Sequence, residues 1–132
     1  NGVRGSLKNT DGEWTSWEKN DSIAVTIDVG ARKRLREVSL GYLNHFGLGI
    51  HKPQKVEVWL SDNDVHYWKA TEQTFGTDEI FAEGRFTEEM EFVFKDVARY
   101  VRVIMKGAGK CPGHHVRPGL ETQIYLDEVL IE

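Results

Sequence analysis

No stretch of this chain approaches the roughly 20 consecutive apolar residues that a membrane-spanning helix requires. Cysteine occurs once, at Cys111, so no internal disulfide can form and the redox compartment stays open. Beside Pro112, with no acid–base pair in sequence contact, that thiol lacks what activates a nucleophile. Net positive charge is absent too: 17 Lys and Arg against 21 Asp and Glu leave a formal charge of −4 and a pI near 5.7. That removes the electrostatic motive for nucleic-acid binding, which needs a basic face to displace counterions from phosphates. One basic run, Arg32-Lys33-Arg34-Leu35-Arg36, stands beside Glu37 and reads as a solvated loop leading into a strand. Missing as well are a Gly-x-Ser-x-Gly elbow, a Gly-rich phosphate loop and a His-Glu-x-x-His helix. No segment keeps a helical period over three turns, and residues 77–83 offer a short helical turn at most. There is no signal peptide, and the chain opens on Asn1-Gly2 rather than Met. That opening points to a fragment of a larger polypeptide, with targeting information elsewhere.

What is present is a period of two. Ile23, Val25, Ile27 and Val29 alternate with Ser22, Ala24, Thr26 and Asp28, the pattern of a strand with one buried face. Gly30 is expected to end it. Val38, Leu40 and Tyr42 repeat the pattern, as do Val56, Val58 and Leu60 within residues 55–61. Residues 68–74 form a weaker strand, Met90, Phe92 and Phe94 a strong one, and Val101, Val103 and Met105 another. With a last strand over residues 123–132 this makes seven or eight, punctuated by turns such as Asp62-Asn63-Asp64 and Gly107-Ala108-Gly109. At 132 residues the chain is one domain's worth, and the spacing indicates a single antiparallel β-sandwich.

The final strand carries a local anomaly. Its apolar positions are Ile124 and Leu126, then Val129 and Ile131, so the alternation slips by one across Asp127-Glu128 and predicts a bulge. The loop before it, from Gly107 through Cys111-Pro112-Gly113-His114-His115 to Gly119, is too long and irregular for a tight hairpin and reads as a functional rim. Glu89 and Glu91 share the strand face opposite Met90 and Phe92, an exposed face rather than the two acids converging across a cleft that a glycosidase needs.

Several segments together resemble a known family. Asn1-Gly-Val-Arg-Gly-Ser, the Asp11-Gly-Glu-Trp-Thr-Ser-Trp-Glu stretch, Ile27-Asp-Val-Gly, Pro53-Gln-Lys-Val-Glu-Val-Trp-Leu-Ser-Asp, Arg99-Tyr-Val-Arg-Val and Asp127-Glu-Val follow the order of a coagulation factor five/eight type C, or discoidin-like, domain. Within that superfamily the chain is most similar to family 32 carbohydrate-binding modules and to C-terminal modules of bacterial β-hexosaminidases and β-galactosidases. The Cys-Pro-Gly-His-His loop before Tyr-Leu-Asp-Glu-Val points to the latter. The resemblance implies an all-β, eight-stranded jelly-roll sandwich of the galactose-binding type, non-catalytic, with a sugar site on loops at one end. It also implies one structural calcium, a hard ion that takes six to eight oxygens, held by residues matching Asn1, Val3, Ser6 and Glu128; the family commonly has Asp where Asn1 stands, and the change removes a charge.

The side chains offer matching chemistry. The loop Leu43-Asn-His-Phe-Gly-Leu-Gly-Ile-His-Lys-Pro joins two strong strands; Asn44, His45 and His51 supply donors and acceptors for sugar hydroxyls, and Phe46 an apolar floor. Trp14, three residues from Trp17, either stacks on a pyranose face or plugs the bottom of the sandwich. Arg85 presents a planar fork of donors, and the resemblance brings it and His114 toward the same rim; the alternative is an exposed loop arginine. Adjacent His114 and His115 on an extended chain point to opposite sides and are not expected to chelate one metal together. The function expected is a non-catalytic module that targets a bacterial glycoside hydrolase to galactose- or N-acetylhexosamine-bearing glycans. Its partners would be the glycan and the parent catalytic domain, not nucleic acid or membrane, in the periplasm, at the cell surface or outside the cell. Alternatives are a structural accessory domain without a sugar site, or a protein- or lipid-binding discoidin domain.

Overall fold

The computed structural model describes residues 3–6, 15–18, 22–109, 111, 115, 119 and 122–132, the strand residues 3–6, 15–18, 22, 23, 123, 125, 127 and 128 by their backbone alone. Seven strands, β1 (Val3–Ser6), β2 (Thr15–Glu18), β3 (Ser22–His45), β4 (Lys55–Ser61), β5 (Trp68–Thr74), β6 (Arg85–Lys106) and β7 (Gln123–Ile131), one short α-helix, α1 (Thr77–Ile80), and a 3-10 turn, Phe46–Leu48, make up the described regular structure. Every pairing is antiparallel, in the order β1-β7-β3-β6-β4-β5 with β2 also on β7.

Two strands are far longer than the sequence periodicity suggests. The stretch around Ile23 to Val29 and the stretch around Val38 to Tyr42 belong to one strand, β3, and the Met90 and Val101 stretches belong to β6. Gly30 therefore does not terminate a strand; it sits at a corner. Between the pairs Asp28↔Tyr100 and Lys33↔Ala98 the ladder shifts register: β3 advances five positions while β6 advances two. Three surplus residues on one side bend the pair sharply without breaking it. Gly30 holds a φ of 94° there, a conformation that costs a side chain strain, and its N–H donates to Asp28 Oδ1 at 2.8 Å. Arg32 is tied down beside it through Asp62.

The corner turns one ladder into two layers. Residues 22–28 of β3 and 100–106 of β6 join β4 and β5, while residues 33–45 of β3 and 85–98 of β6 join β7, β1 and β2. Alternate residues of both layers meet in a single core: Leu35, Val38 and Leu40 from β3, Val56, Val58 and Leu60 from β4, Val101, Val103 and Met105 from β6, and Leu126, Val129 and Ile131 from β7 are all at most 1% exposed. Burying each such side chain contributes about 1.5–3 kcal/mol. The fold is an all-β antiparallel sandwich.

The expected bulge in β7 is present. Leu40 faces Val129 and Tyr42 faces Leu126, so three steps on β7 oppose two on β3. The surplus residue at Asp127-Glu128 is what keeps Ile124, Leu126, Val129 and Ile131 all inside, at 2% exposure or less.

Candidate functional site

One end of the sandwich gathers residues 46–54 after β3, residues 81–84 before β6, and Cys111 and His115 from beyond β6. At the end of β3, His45 and Ile50 exchange backbone hydrogen bonds of 2.8 and 3.1 Å, closing a tight loop whose 3-10 turn, Phe46–Leu48, is capped by Gly49 at a φ of 71°. The Phe46 N–H donates to the Gly84 carbonyl at 3.1 Å, and His45 stands opposite Arg85 in the ladder. His45, Phe46 and Arg85 are thus brought together, with Leu48 standing 48% exposed beside them.

Two residues expected on this rim lie beneath it instead. Asn44 and His51 are 1% and 0% exposed, because Asn44 occupies an inward position of β3 and His51 leaves the loop toward the core. The Asn44 side-chain NH2 donates to the carbonyls of Ala82 and Gly84, each at 3.0 Å, which aims its Oδ1 at His51 Nδ1, 3.0 Å away. That acceptor requires a proton on Nδ1, leaving the lone pair of neutral His51 on Nε2. His51 Nε2 lies 3.1 Å from His115 Nε2. Burial, and secondarily the neighbouring His115, pushes the His51 pKa down to about 4, so the ring is neutral around pH 7. Their polar atoms are committed inside, so Asn44 and His51 are not surface contacts for a sugar; they brace the loops that carry His45, Phe46 and Arg85.

Aromatic rings close over this network. Phe46 tilts over His115 with centroids 4.0 Å apart, and Phe81 meets His51 edge-on at 5.0 Å. Cys111 is also buried, at 4%, and burial raises its thiol pKa. The donor atoms of His51, Cys111 and His115 all lie within 4.8 Å of one another, the one such His/Cys/Asp/Glu group among the described residues. In sequence His115 neighbours His114; in the fold it meets His51. His114, Trp14 and Asn1 fall outside the described residues, and Trp17 stands opposite Ile124 in the β2–β7 ladder.

Alongside the rim runs a cleft of about 270 Å³, lined among others by Tyr42, Lys52, Phe75, Glu79 and Glu88. None of these is among the site candidates that the sequence offers, although Tyr42 is one of its strand positions. Lys52 is 7% exposed; its ammonium lies 4.1 Å from the Phe75 ring centre and 2.5 Å from Glu79. Tyr42 donates to Glu88 at 3.1 Å, and its phenol is pushed up by burial first and by Glu88 second. A buried lysine in a Gly- and Pro-rich loop carries no periodic signal, which is why the cleft is legible only in three dimensions.

At the β1 end of the strand order, the ladder pairs Ser6 with Glu128 and Val3 with Ile131. The backbone of the first strand and the bulged acid pair therefore lie side by side.

No family model and no curated protein matches this chain. Among solved structures it is similar to a family 32 carbohydrate-binding module from Clostridium perfringens in complex with GalNAc-β-1,3-galactose, with TM-score 0.57 and 13% identity over 99% of this chain and 93% of that one. It is also similar to the C-terminal domain of a chitobiase from Bacteroides fragilis, with TM-score 0.50 and 16% identity over 89% and 72% of the two chains. The VP2 subviral particle of infectious bursal disease virus gives TM-score 0.57 at 11% identity, this chain covering 32% of that one. Likeness at these identities establishes the fold alone, and the viral protein illustrates that a fold does not name a ligand.

Proposed function

We propose that this chain is a non-catalytic carbohydrate-binding module that holds an attached glycoside hydrolase, of β-hexosaminidase or β-galactosidase type, against galactose- or N-acetylhexosamine-bearing glycans outside the cytoplasm. The convergence of His45, Phe46 and Arg85 on one braced rim is the observation that carries this reading. The sugar-bound module of the same fold supports it. An aromatic ring edge and Leu48 offer apolar contact to pyranose C–H groups. His45 and the Arg85 fork offer hydrogen bonds to hydroxyls and ring oxygen. A shallow rim buries one or two sugar rings, so affinity in the millimolar to high micromolar range, about 4–6 kcal/mol, is expected. Attachment to an enzyme with its own substrate site raises the effective concentration for the second contact. One structural calcium at Asn1, Val3, Ser6 and Glu128 belongs to the same proposal, and the Ser6↔Glu128 pairing supports it by juxtaposing backbone carbonyls and a carboxylate position.

Isothermal titration with galactose, N-acetylgalactosamine and N-acetylglucosamine, preceded by a glycan array, tests the reading. Phe46→Ala and Arg85→Ala are each expected to weaken binding about tenfold or more, the loss of one good contact. Silence toward every sugar would leave a structural accessory domain. A sugar response that persists in both variants and vanishes in Glu88→Gln would move the site into the neighbouring cleft.

A further inference from the structure

We infer that His51, Cys111 and His115 form a binding site for a single zinc ion, lying under the rim and independent of any sugar bound above it. Two imidazole nitrogens and a thiolate are borderline-to-soft donors, the set that selects zinc over the oxygen-seeking calcium and magnesium. The spacing suits a tetrahedral ion. Ligand nitrogens at about 2.0–2.1 Å from zinc stand roughly 3.3 Å apart, and His51 Nε2 and His115 Nε2 are 3.1 Å apart. One ligand atom from each of the three residues falls within 4.8 Å of the others, against about 3.5 Å between nitrogen and sulfur around a tetrahedral zinc with Zn–S bonds of about 2.3 Å, so a small side-chain adjustment completes three corners. Water takes the fourth.

The surroundings are those of a built metal site. A histidine ligand needs its second nitrogen held by an acceptor, which fixes the tautomer and aims the lone pair. Asn44 does this for His51, and is itself locked by two backbone carbonyls. Phe46 and Phe81 wall the ligands with apolar rings. The ligands come from loops 60 residues apart in sequence; on the second, Gly119 donates to the Cys111 carbonyl at 3.0 Å and Thr122 to that of Gly109 at 2.9 Å. Zinc would therefore fasten the loop after β6 to the loop after β3. The competing account is a metal-free pair in which one protonated Nε2 donates to the other, with a buried thiol nearby. It predicts no metal uptake.

The full chain, stripped with a chelator and dialysed, is titrated with Zn2+ against a chromophoric competitor, and in parallel with Co2+ as a spectroscopic probe. One equivalent of zinc per chain is expected, together with a zinc-dependent rise in unfolding temperature. Co2+ should give tetrahedral d–d absorption with a thiolate charge-transfer band. Cys111→Ser, nearly isosteric, should remove that band and weaken zinc about 100-fold or more, above the 10- to 100-fold typical of outer-shell losses. His115→Gln should weaken zinc comparably and leave the thiolate band at saturating Co2+. Circular dichroism of both variants, compared with the parent, separates loss of the site from loss of the fold. Failure of the stripped chain to take up zinc, an octahedral Co2+ spectrum, or uptake unchanged in both folded variants would overturn the assignment.

Discussion

Replacing Asn44 by Leu isolates the device that holds together the end of the sandwich carrying His45, Phe46 and Arg85. The side chains are similar in size, so the substitution removes hydrogen bonds without opening a large cavity. Three bonds disappear: to the carbonyls of Ala82 and Gly84, and from His51 Nδ1, each at 3.0 Å. His51 is 0% exposed, so its orphaned N–H bears a desolvation penalty of about 1–3 kcal/mol. Ala82 and Gly84 lie in a partly exposed turn where water can replace the lost donor, and each of those bonds is worth about 1 kcal/mol. The expected destabilisation is about 3–5 kcal/mol, a large share of the 5–15 kcal/mol that holds a typical domain folded. Urea unfolding followed by tryptophan fluorescence measures it. Amide hydrogen exchange supplies the local readout: the Phe46 N–H, bonded to Gly84 O, should exchange faster in the variant than the core amides of β4 do. A loss below about 1 kcal/mol, with Phe46 exchange unchanged, would refute the idea that Asn44 joins the two loops.

Three further outcomes follow from the same geometry. Leu40→Ala, at a fully buried core position, should cost about 2–5 kcal/mol in the same unfolding assay; a smaller loss would mean that the two layers do not share one core there. Lys52→Met keeps the side-chain stem over Phe75 and leaves Glu79, whose side chain is 58% exposed, able to hydrate. It should change stability by about 1 kcal/mol or less, whereas Lys52→Ala should cost about 2–3 kcal/mol through lost packing, and the reverse order would contradict the placement of Lys52. Hydrogen bonds from Arg99 and then from the Gly30 N–H hold Asp28 down at about 2, against an ordinary 3.8. Because the folded value is the lower one, this stabilisation is present above pH 3.8 and is lost as pH falls toward 2. The stability gap between parent and Asp28→Asn should shrink over that window, and a gap that grew on acidification would reverse the assignment.

The alternation of apolar residues determined most of the strand pattern, because a half-buried strand repeats every two residues whatever it packs against. β4 and β5 fall where the periodicity puts them, and the slip at Asp127-Glu128 marks the bulge that keeps Val129 and Ile131 inside. Residue types in the loop after β3 likewise pointed to the end of the sandwich where His45, Phe46 and Arg85 meet. Tertiary structure decided what local pattern does not encode. A register shift of three residues at Gly30 joins apparent strands into β3, and its effect depends on the partner strand rather than on the glycine. Asn44 and His51 turn inward because their hydrogen-bonding partners, Ala82, Gly84 and His115, arrive from 38 to 64 residues away. Periodicity reports which face of a strand is buried. Which polar groups meet beneath a loop is set by how distant connections stack, and only the folded chain brings Cys111 to two histidines.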